Sequence, residues 1–213
     1  MKFDKRDLLV YAITDEKRRS SKEWEKLLTP IFEAGIRILQ LRQKHASHEE
    51  FVSSAMELAE ICHRFGAKFI VNDDAGTCIE AGADGVHLGQ DDMPIAEARK
   101  LLGDEYIIGA TAHNLDEAEN AEADGADYVG VGAAFGSNSK LDARPIELAE
   151  YRKISDKITI PMVAIGGINL ENIDLLSGSG ADGVAVISAL FANDDIRASA
   201  DALMAKSRSL FGN

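Results

Sequence analysis

Cysteine is scarce in this chain. Its 213 residues include two, Cys62 and Cys78. Two cysteines make neither a disulfide scaffold nor a zinc site, and Cys62, on the apolar face of a helical pattern, reads as a small core residue. Positive charge is also short: 23 Lys and Arg face 36 Asp and Glu, for a formal net charge of −13. No basic excess is therefore available for nucleic acid. No apolar run is long enough to span a bilayer, and the first residues lack the apolar core of a signal peptide, so a cytoplasmic location is the default expectation. Pro- or Ser-rich linkers and low-complexity tracts are missing, which favours a single domain over residues 1–213. The first strand-like segment leads into Ile13-Thr14-Asp15-Glu16 without a glycine run, so there is no dinucleotide fingerprint. Nor is there a Ser/His/Asp order, a zinc spacing or a glycosidase carboxylate pair. An acidic chain that binds an anion must gather its few cations in one place or recruit a metal.

What is present is a repeat of short apolar, β-branched runs. Eight occur, at 8–14, 36–42, 68–73, 85–89, 106–112, 128–133, 161–167 and 183–189. Segments of helical periodicity separate them. Phe51, Ala55, Leu58, Cys62 and Phe65 alternate steps of four and three, giving one apolar face. Ser20 with Glu23, Ser47 with Glu50, and Asn114 with Glu117 have capping-box spacing. Asn169 is placed to cap a helix over 170–176. Gly-Ala-Asp recurs before the fourth, sixth and eighth runs, where each glycine can end a helix in the left-handed conformation. The aspartates, Asp84, Asp127 and Asp182, precede their strands, whereas parallel α/β folds place chemistry after theirs, so a structural role is expected. This pattern predicts an α/β fold, a (β/α)8 TIM barrel, with a doubly wound open sheet as the runner-up.

In a barrel, the residues that follow each strand converge on one mouth. Alternation puts Gln40, Arg42 and Lys44 on one side of the second run. An amide, a guanidinium and an ammonium make poor core and suit a polyanion such as pyrophosphate. The third run leads into Asn72-Asp73-Asp74, the fourth through His87 into Asp91-Asp92, the fifth into Thr111 and His113. Asp73 and Asp92 leave adjacent strands and read either as salt-bridge partners or as a Mg²⁺ site shared with a pyrophosphate. Ser137, Ser139 and Lys140 lie in a glycine-containing loop that can wrap a phosphate or simply be a surface loop. Gly166-Gly167, and Ser188-Ala189-Leu190-Phe191 as one helical turn, predict a phosphate site. His87 and His113 read more simply as hydrogen-bonded residues than as catalysts. A Schiff-base role for Lys44 or Lys140 stays open.

Together these residues resemble the thiamine phosphate synthase family. The resemblance extends from Tyr11-Ala12-Ile13-Thr14-Asp15 to Gly183-Val184-Ala185-Val186-Ile187-Ser188-Ala189. Gln40-Leu41-Arg42-Gln43-Lys44 is similar to the family's pyrimidine diphosphate motif. Asn72-Asp73-Asp74, Gly85-Val86-His87-Leu88-Gly89-Gln90-Asp91-Asp92 and Ala164-Ile165-Gly166-Gly167-Ile168 match its third, fourth and seventh strand motifs. The resemblance implies a Mg²⁺-dependent transferase. It would join 4-amino-2-methyl-5-hydroxymethylpyrimidine diphosphate to 4-methyl-5-(2-phosphoethyl)thiazole, giving thiamine phosphate and pyrophosphate. It further implies that Gln40, Leu41, Arg42, Gln43, Lys44, Asn72, Thr111 and Lys140 hold the pyrimidine diphosphate and that Asp73 and Asp92 bind Mg²⁺. Ser137, Asn138, Ser139, Gly167, Ile187 and Ser188 would hold the thiazole phosphate. Arg42, Lys44 and Lys140 would be catalytic, stabilising pyrophosphate as it leaves ahead of attack by the thiazole nitrogen.

The chain departs from the family pattern at Gly136-Ser137-Asn138-Ser139-Lys140, which lacks two usual prolines but keeps hydroxyls, and at Thr111, where serine is usual. Two rival readings exist. A thiazole tautomerase on a related barrel is suggested by His113, and Arg42, Lys44, Asn72, Asp73 and Asp92 speak against it. A phosphate-ligand binding barrel without turnover is suggested by the altered loop. Expected partners are small phosphorylated molecules, with neither nucleic acid nor membrane; self-association is left open.

Overall fold

The computed structural model describes residues 4–136 and 145–212. Eight parallel strands close into a barrel in chain order: β1 (Val10–Ile13), β2 (Ile38–Leu41), β3 (Lys68–Asn72), β4 (Gly85–Leu88), β5 (Ile107–Ala112), β6 (Tyr128–Gly132), β7 (Met162–Ile165) and β8 (Gly183–Val186), which returns to β1. Helices cover the outside: α1 (Ser21–Glu33), α2 (His48–Arg64), α3 (Ala75–Glu80), α4 (Ile95–Leu102), α5 (Leu115–Ala123), α6 (Leu148–Ser155), the single turn α7 (Ser188–Phe191) and α8 (Ile196–Phe211). Among the described residues no helix is long and apolar enough to cross a membrane.

Period-two alternation sorts the strand residues into two cores. Val10, Ala12, Leu39, Leu41, Phe69, Val71, Ile108 and Val129 face outward and pack against the helices in the larger core. Tyr11, Ile13, Ile38, Ile70, Ile107, Tyr128, Val163 and Ala185 face inward and fill the barrel, with Leu8 beneath them. The α2 stripe is buried as its periodicity requires, with Ala55, Leu58 and Cys62 all at 0% exposure. Full burial of each Leu or Ile contributes about 1.5–3 kcal/mol.

The Gly-Ala-Asp repeats are staples between strands. Asp84 donates its N–H to the Phe69 carbonyl (2.8 Å) and accepts the Phe69 N–H on its carboxylate (2.9 Å). Asp127 does the same with Ile108 (2.7 and 2.8 Å), and Asp182 with Met162 (2.7 and 3.0 Å). A cation completes each: Lys68 on Asp84, Arg99 on Asp127, Lys5 on Asp182. Burial disfavours ionisation of Asp84, but Lys68, the Phe69 N–H and His63 together hold its carboxyl below the ordinary value. β4, β6 and β8 are thus locked to the odd strands before them, at the end of the barrel opposite the mouth.

Several boundaries differ from the sequence expectation. The first run begins as a 3-10 turn, Lys5–Leu9, because Asp4 and Asp7 cap it. The second ends at Leu41: the Arg42 N–H is taken by the buried Thr14 hydroxyl (2.9 Å) instead of a strand carbonyl. Asn169 does not cap an α-helix. Its side chain accepts the Glu171 N–H in a local turn, and a 3-10 turn over Ile173–Leu176 follows. Both serine capping boxes form as expected, but Glu117 bonds the His113 N–H instead of closing a box on Asn114.

The staples give a direct expectation. Asp127→Ala leaves the Ile108 N–H without its acceptor, which costs about 2 kcal/mol. Thermal unfolding should shift down by about 4–8 °C; a shift under about 1 °C would show that the staple does not hold the register.

Candidate active site

Inward positions change character along each strand, from apolar at the base to polar at the C-terminal end. Gln40 follows Ile38, Asn72 follows Ile70, His87 follows Gly85, and Thr111 follows Gly109. These residues and Tyr11 line a cavity of about 240 Å³ that opens at the mouth. Arg42, Lys44, Asp73, Asp92 and His113 form its rim.

The rim is a web of charge. Glu16, in the loop after β1, ion-pairs with the Arg42 guanidinium and accepts the Lys44 N–H (2.8 Å). The Lys44 ammonium stands 3.8 Å from the Asp73 carboxylate. Asp92 accepts the Gly89 N–H (2.6 Å). Burial, and then Asp92 beside it through hydrogen bonding and charge repulsion, pushes the Asp73 carboxyl up to about 6; Lys44 and Arg42 pull it back only in part. The backbone here is strained as well. Asp73 has φ 66°, and the Asp74 N–H closes a three-residue turn onto the Asn72 carbonyl (2.9 Å). A positive φ at a non-glycine residue is costly, and such outliers gather at functional sites. His113 is oriented by Glu117, whose carboxylate meets Nδ1 at 2.8 Å. Burial opposes ionisation of Glu117, yet its bonds to His113 keep its carboxyl low.

Not every residue of the Gln40–Lys44 motif reaches the mouth. Leu41 faces outward, is fully buried in the helix-facing core, and can offer a ligand only its backbone. Gln43 is buried, does not line the cavity, and its amide nitrogen and oxygen have no hydrogen-bond partner among the described residues. Gln40, Arg42 and Lys44 do converge, although Arg42 and Lys44 stand beyond the strand.

A second cavity, of about 290 Å³, lies between the ends of β7 and β8 and is walled by Gly166, Gly167, Ile187 and Ser188. Glycine is required here. Gly166 and Gly167 have φ 106° and 66°, and a Cβ on Gly167 would sit 2.5 Å from the Gly136 carbonyl oxygen. Ser188 opens α7, and the first N–H groups of a helical turn have no partner within it. Ile165 and Ala185 line both cavities, so the two adjoin. Ser137, Asn138, Ser139 and Lys140 lie outside the described residues.

Sequence reasoning passed over Glu16, Thr14, Tyr11 and Tyr128. The two tyrosines carried a signal: each is a polar-tipped ring at an inward position of an otherwise aliphatic strand.

A parallel (β/α)8 barrel with cations and carboxylates at one mouth and a glycine-walled cavity beside them is a barrel built for anionic ligands. The chain belongs to the thiamine monophosphate synthase family, whose family model matches residues 10–190. It is 41% identical over 195 residues to the thiamine-phosphate synthase of Fusobacterium nucleatum, covering 92% of this chain and 95% of that protein. It is 44% identical over 192 residues to the thiamine-phosphate synthase of Clostridioides difficile, covering 90% and 91%. Among solved structures, thiamine phosphate pyrophosphorylase from Pyrococcus furiosus superposes with a TM-score of 0.87 at 36% identity, over 98% of this chain and 99% of that one.

The raised Asp73 value fixes the sign of a pH effect. The folded state binds the Asp73 proton more tightly than the unfolded chain does, so this group's contribution is fully present below the ordinary value of 3.8 and is lost as pH rises to about 6. In metal-free buffer, Asp73→Asn should therefore gain on the parent protein between pH 4 and pH 7. Discounted for a side chain about a third exposed, the gain is about 1 kcal/mol, or about 2–4 °C in melting temperature. Unfolding curves at both pH values measure it; a difference that is the same at pH 4 and pH 7 would contradict the repulsion.

Proposed function

We propose that this chain catalyses the Mg²⁺-dependent synthesis of thiamine phosphate. The pyrimidinylmethyl carbon of 4-amino-2-methyl-5-hydroxymethylpyrimidine diphosphate loses its C–O bond, and the electron pair leaves with pyrophosphate. The ring nitrogen of 4-methyl-5-(2-phosphoethyl)thiazole then donates its lone pair to form the new C–N bond. The observation that carries this reading is the meeting of Arg42, Lys44, Asp73 and Asp92 at one rim, directly beside the cavity of Gly167 and Ser188.

Each part has a physical role. Arg42 and Lys44 bind the diphosphate and stabilise the charge that grows on it as the bond breaks. Arg42 must exchange Glu16 for the diphosphate, one carboxylate for another anion. Gln40, Asn72 and Thr111 hold the pyrimidine diphosphate, with Leu41 and Gln43 contributing framework. Gly167, Ile187 and Ser188 hold the thiazole phosphate, and the shared walls Ile165 and Ala185 bring nucleophile and electrophile together. Asp73 and Asp92 would hold Mg²⁺, which supplies charge neutralisation for the leaving diphosphate. The donor set fits that ion. The two carboxylates repel each other, and the described residues contain no group of three or more His, Cys, Asp or Glu that could hold a metal. Mg²⁺ is commonly bound by one or two carboxylates, the rest of its shell coming from phosphate and water. A tautomerase acting on the thiazole alone would not need this wall of charge. We read residues 1–213 as a single barrel domain working in the cytoplasm on small phosphorylated substrates.

Purified protein mixed with both substrates should form thiamine phosphate only when Mg²⁺ is added, followed by thiochrome fluorescence. No metal-dependent product would sink the reading, and thermal stabilisation by the substrates without product would favour binding alone. Arg42→Ala should lower kcat by about 100-fold, while Asp127→Ala, at equal folded content, leaves it within about threefold. Equal losses would undo the division between mouth and base.

A further inference from the structure

The Arg42 guanidinium lines the first cavity, yet its Nη1 is bonded to a carboxylate that does not. That carboxylate is Glu16, in the loop from β1 to α1. Its second oxygen accepts the Lys44 N–H (2.8 Å), so one side chain ties together the two residues that supply the rim with cations. Among the described residues Arg42 makes no other side-chain hydrogen bond, and the remaining N–H donors of its fork are uncommitted.

Glu16 is fixed independently of Arg42. Thr14, fully buried just before it, donates its N–H to the Gln40 carbonyl (2.9 Å). Asp15 grips Arg19 through both carboxylate oxygens, with Nη2 at 2.8 Å. The Arg19 guanidinium in turn lies 4.7 Å from the centre of the fully buried Trp24 ring. Arg18 reaches across to Glu50 on α2. The loop therefore keeps Glu16 in place, and Arg42, on its long flexible stem, is the movable partner.

A bidentate grip on a diphosphate through Nη1 and Nη2 takes Nη1 away from Glu16. Binding then breaks one ion pair to make another, and the free energy of the first is subtracted from that of the second. The subtraction applies to the pyrimidine substrate and to the pyrophosphate product alike, because both present a diphosphate group. Groups that stabilise a departing pyrophosphate also retain it, and product release limits many enzymes. Resting on the functional reading above, we propose that Glu16 is a positioning residue, a stationary counter-ion that competes with pyrophosphate for Arg42 and so speeds release of that product.

Glu16→Gln separates the two bonds of Glu16. The amide oxygen still accepts the Lys44 N–H, but no negative charge faces Arg42. Calorimetric titration with pyrophosphate and Mg²⁺ should show binding about fivefold tighter in this variant than in the parent, as expected when a partly exposed competing ion pair is lost. KM for the pyrimidine diphosphate and the inhibition constant of pyrophosphate should fall by the same factor, with KM for the thiazole phosphate unchanged. Glu16→Ala should tighten pyrophosphate binding too, and serves if Glu16→Gln does not fold. In an Arg42→Ala background the gain should vanish, since the competition passes through Arg42. Weaker or unchanged pyrophosphate binding in the folded variants would show that Glu16 holds Arg42 ready for the ligand, and would overturn the proposal. A gain that survives Arg42→Ala would overturn it as well, because it would come from long-range repulsion. A parent protein that makes no thiamine phosphate would instead fail the functional reading, and the pyrophosphate titrations would still decide the exchange.

Discussion

The carboxylate of Asp127, set against the N–H of Ile108, and its counterparts at Asp84 and Asp182, fix the register on which the rest of the molecule depends. A strand has a side-chain period of two, so a slip of one residue would turn every inward side chain outward. The staples act at the base, yet their effect is read at the mouth. With Ile70 beside Gly85 and Asn72 beside His87, the polar residue of each strand arrives at the same level as its neighbour's. Closure then brings strands from opposite ends of the sequence to one rim, which is how loops after β1, β2, β3 and β4 come to share charges.

Those charges explain how an acidic chain can serve an anion. Its formal net charge is −13, yet among the described residues two cations stand together at the mouth, each beside a carboxylate. Glu16 steadies Arg42, and Asp73 stands near Lys44. The excess lies between Asp73 and Asp92, and the Asp73 carboxyl is raised first by its burial and then by Asp92 beside it. That repulsion is unfavourable for the bare protein and favourable for a divalent cation. On the proposed reading, the same two residues lower stability and raise affinity for that cation, a trade often met at functional sites.

The barrel was legible because its signals are local and repeated: apolar runs, capping serines, and glycines ending helices before Asp84, Asp127 and Asp182. The rim was legible for a similar reason, since Arg42, Lys44, Asp73 and Asp92 each follow a recognisable strand. What stayed hidden depends on contacts between distant segments. Glu16 meets Arg42 from 26 positions away, and nothing near either residue announces it. Thr14 ends β2 by taking the Arg42 N–H, so a boundary in one strand is set by the side chain of another. Alternation could say that Tyr11 and Tyr128 point inward, but not that their hydroxyls meet. Asn169 misled because a side chain that starts a turn looks the same whether the turn becomes an α-helix or a 3-10 one. Leu41 belongs to its motif by sequence and to the outer core by geometry.

The two halves of the first cavity obey different dielectric rules, and this division makes the proposed chemistry workable. The floor is deep, and there an amide, two phenols, an imidazole and a hydroxyl bond one to the next. A buried charge at that depth would carry a large desolvation cost, whereas a closed chain of amide, phenols, imidazole and hydroxyl carries almost none. The charged groups stand at the rim, where water and a cation can offset them. A substrate with a neutral aromatic ring and a polyanionic tail matches that gradient in one orientation only, ring down and diphosphate up. On the proposed reading, that orientation puts the bond to be broken at the boundary, with Arg42 and Lys44 on one side and the β7–β8 cavity on the other. On the proposed reading, positioning then follows from polarity, and the mouth needs no protein nucleophile.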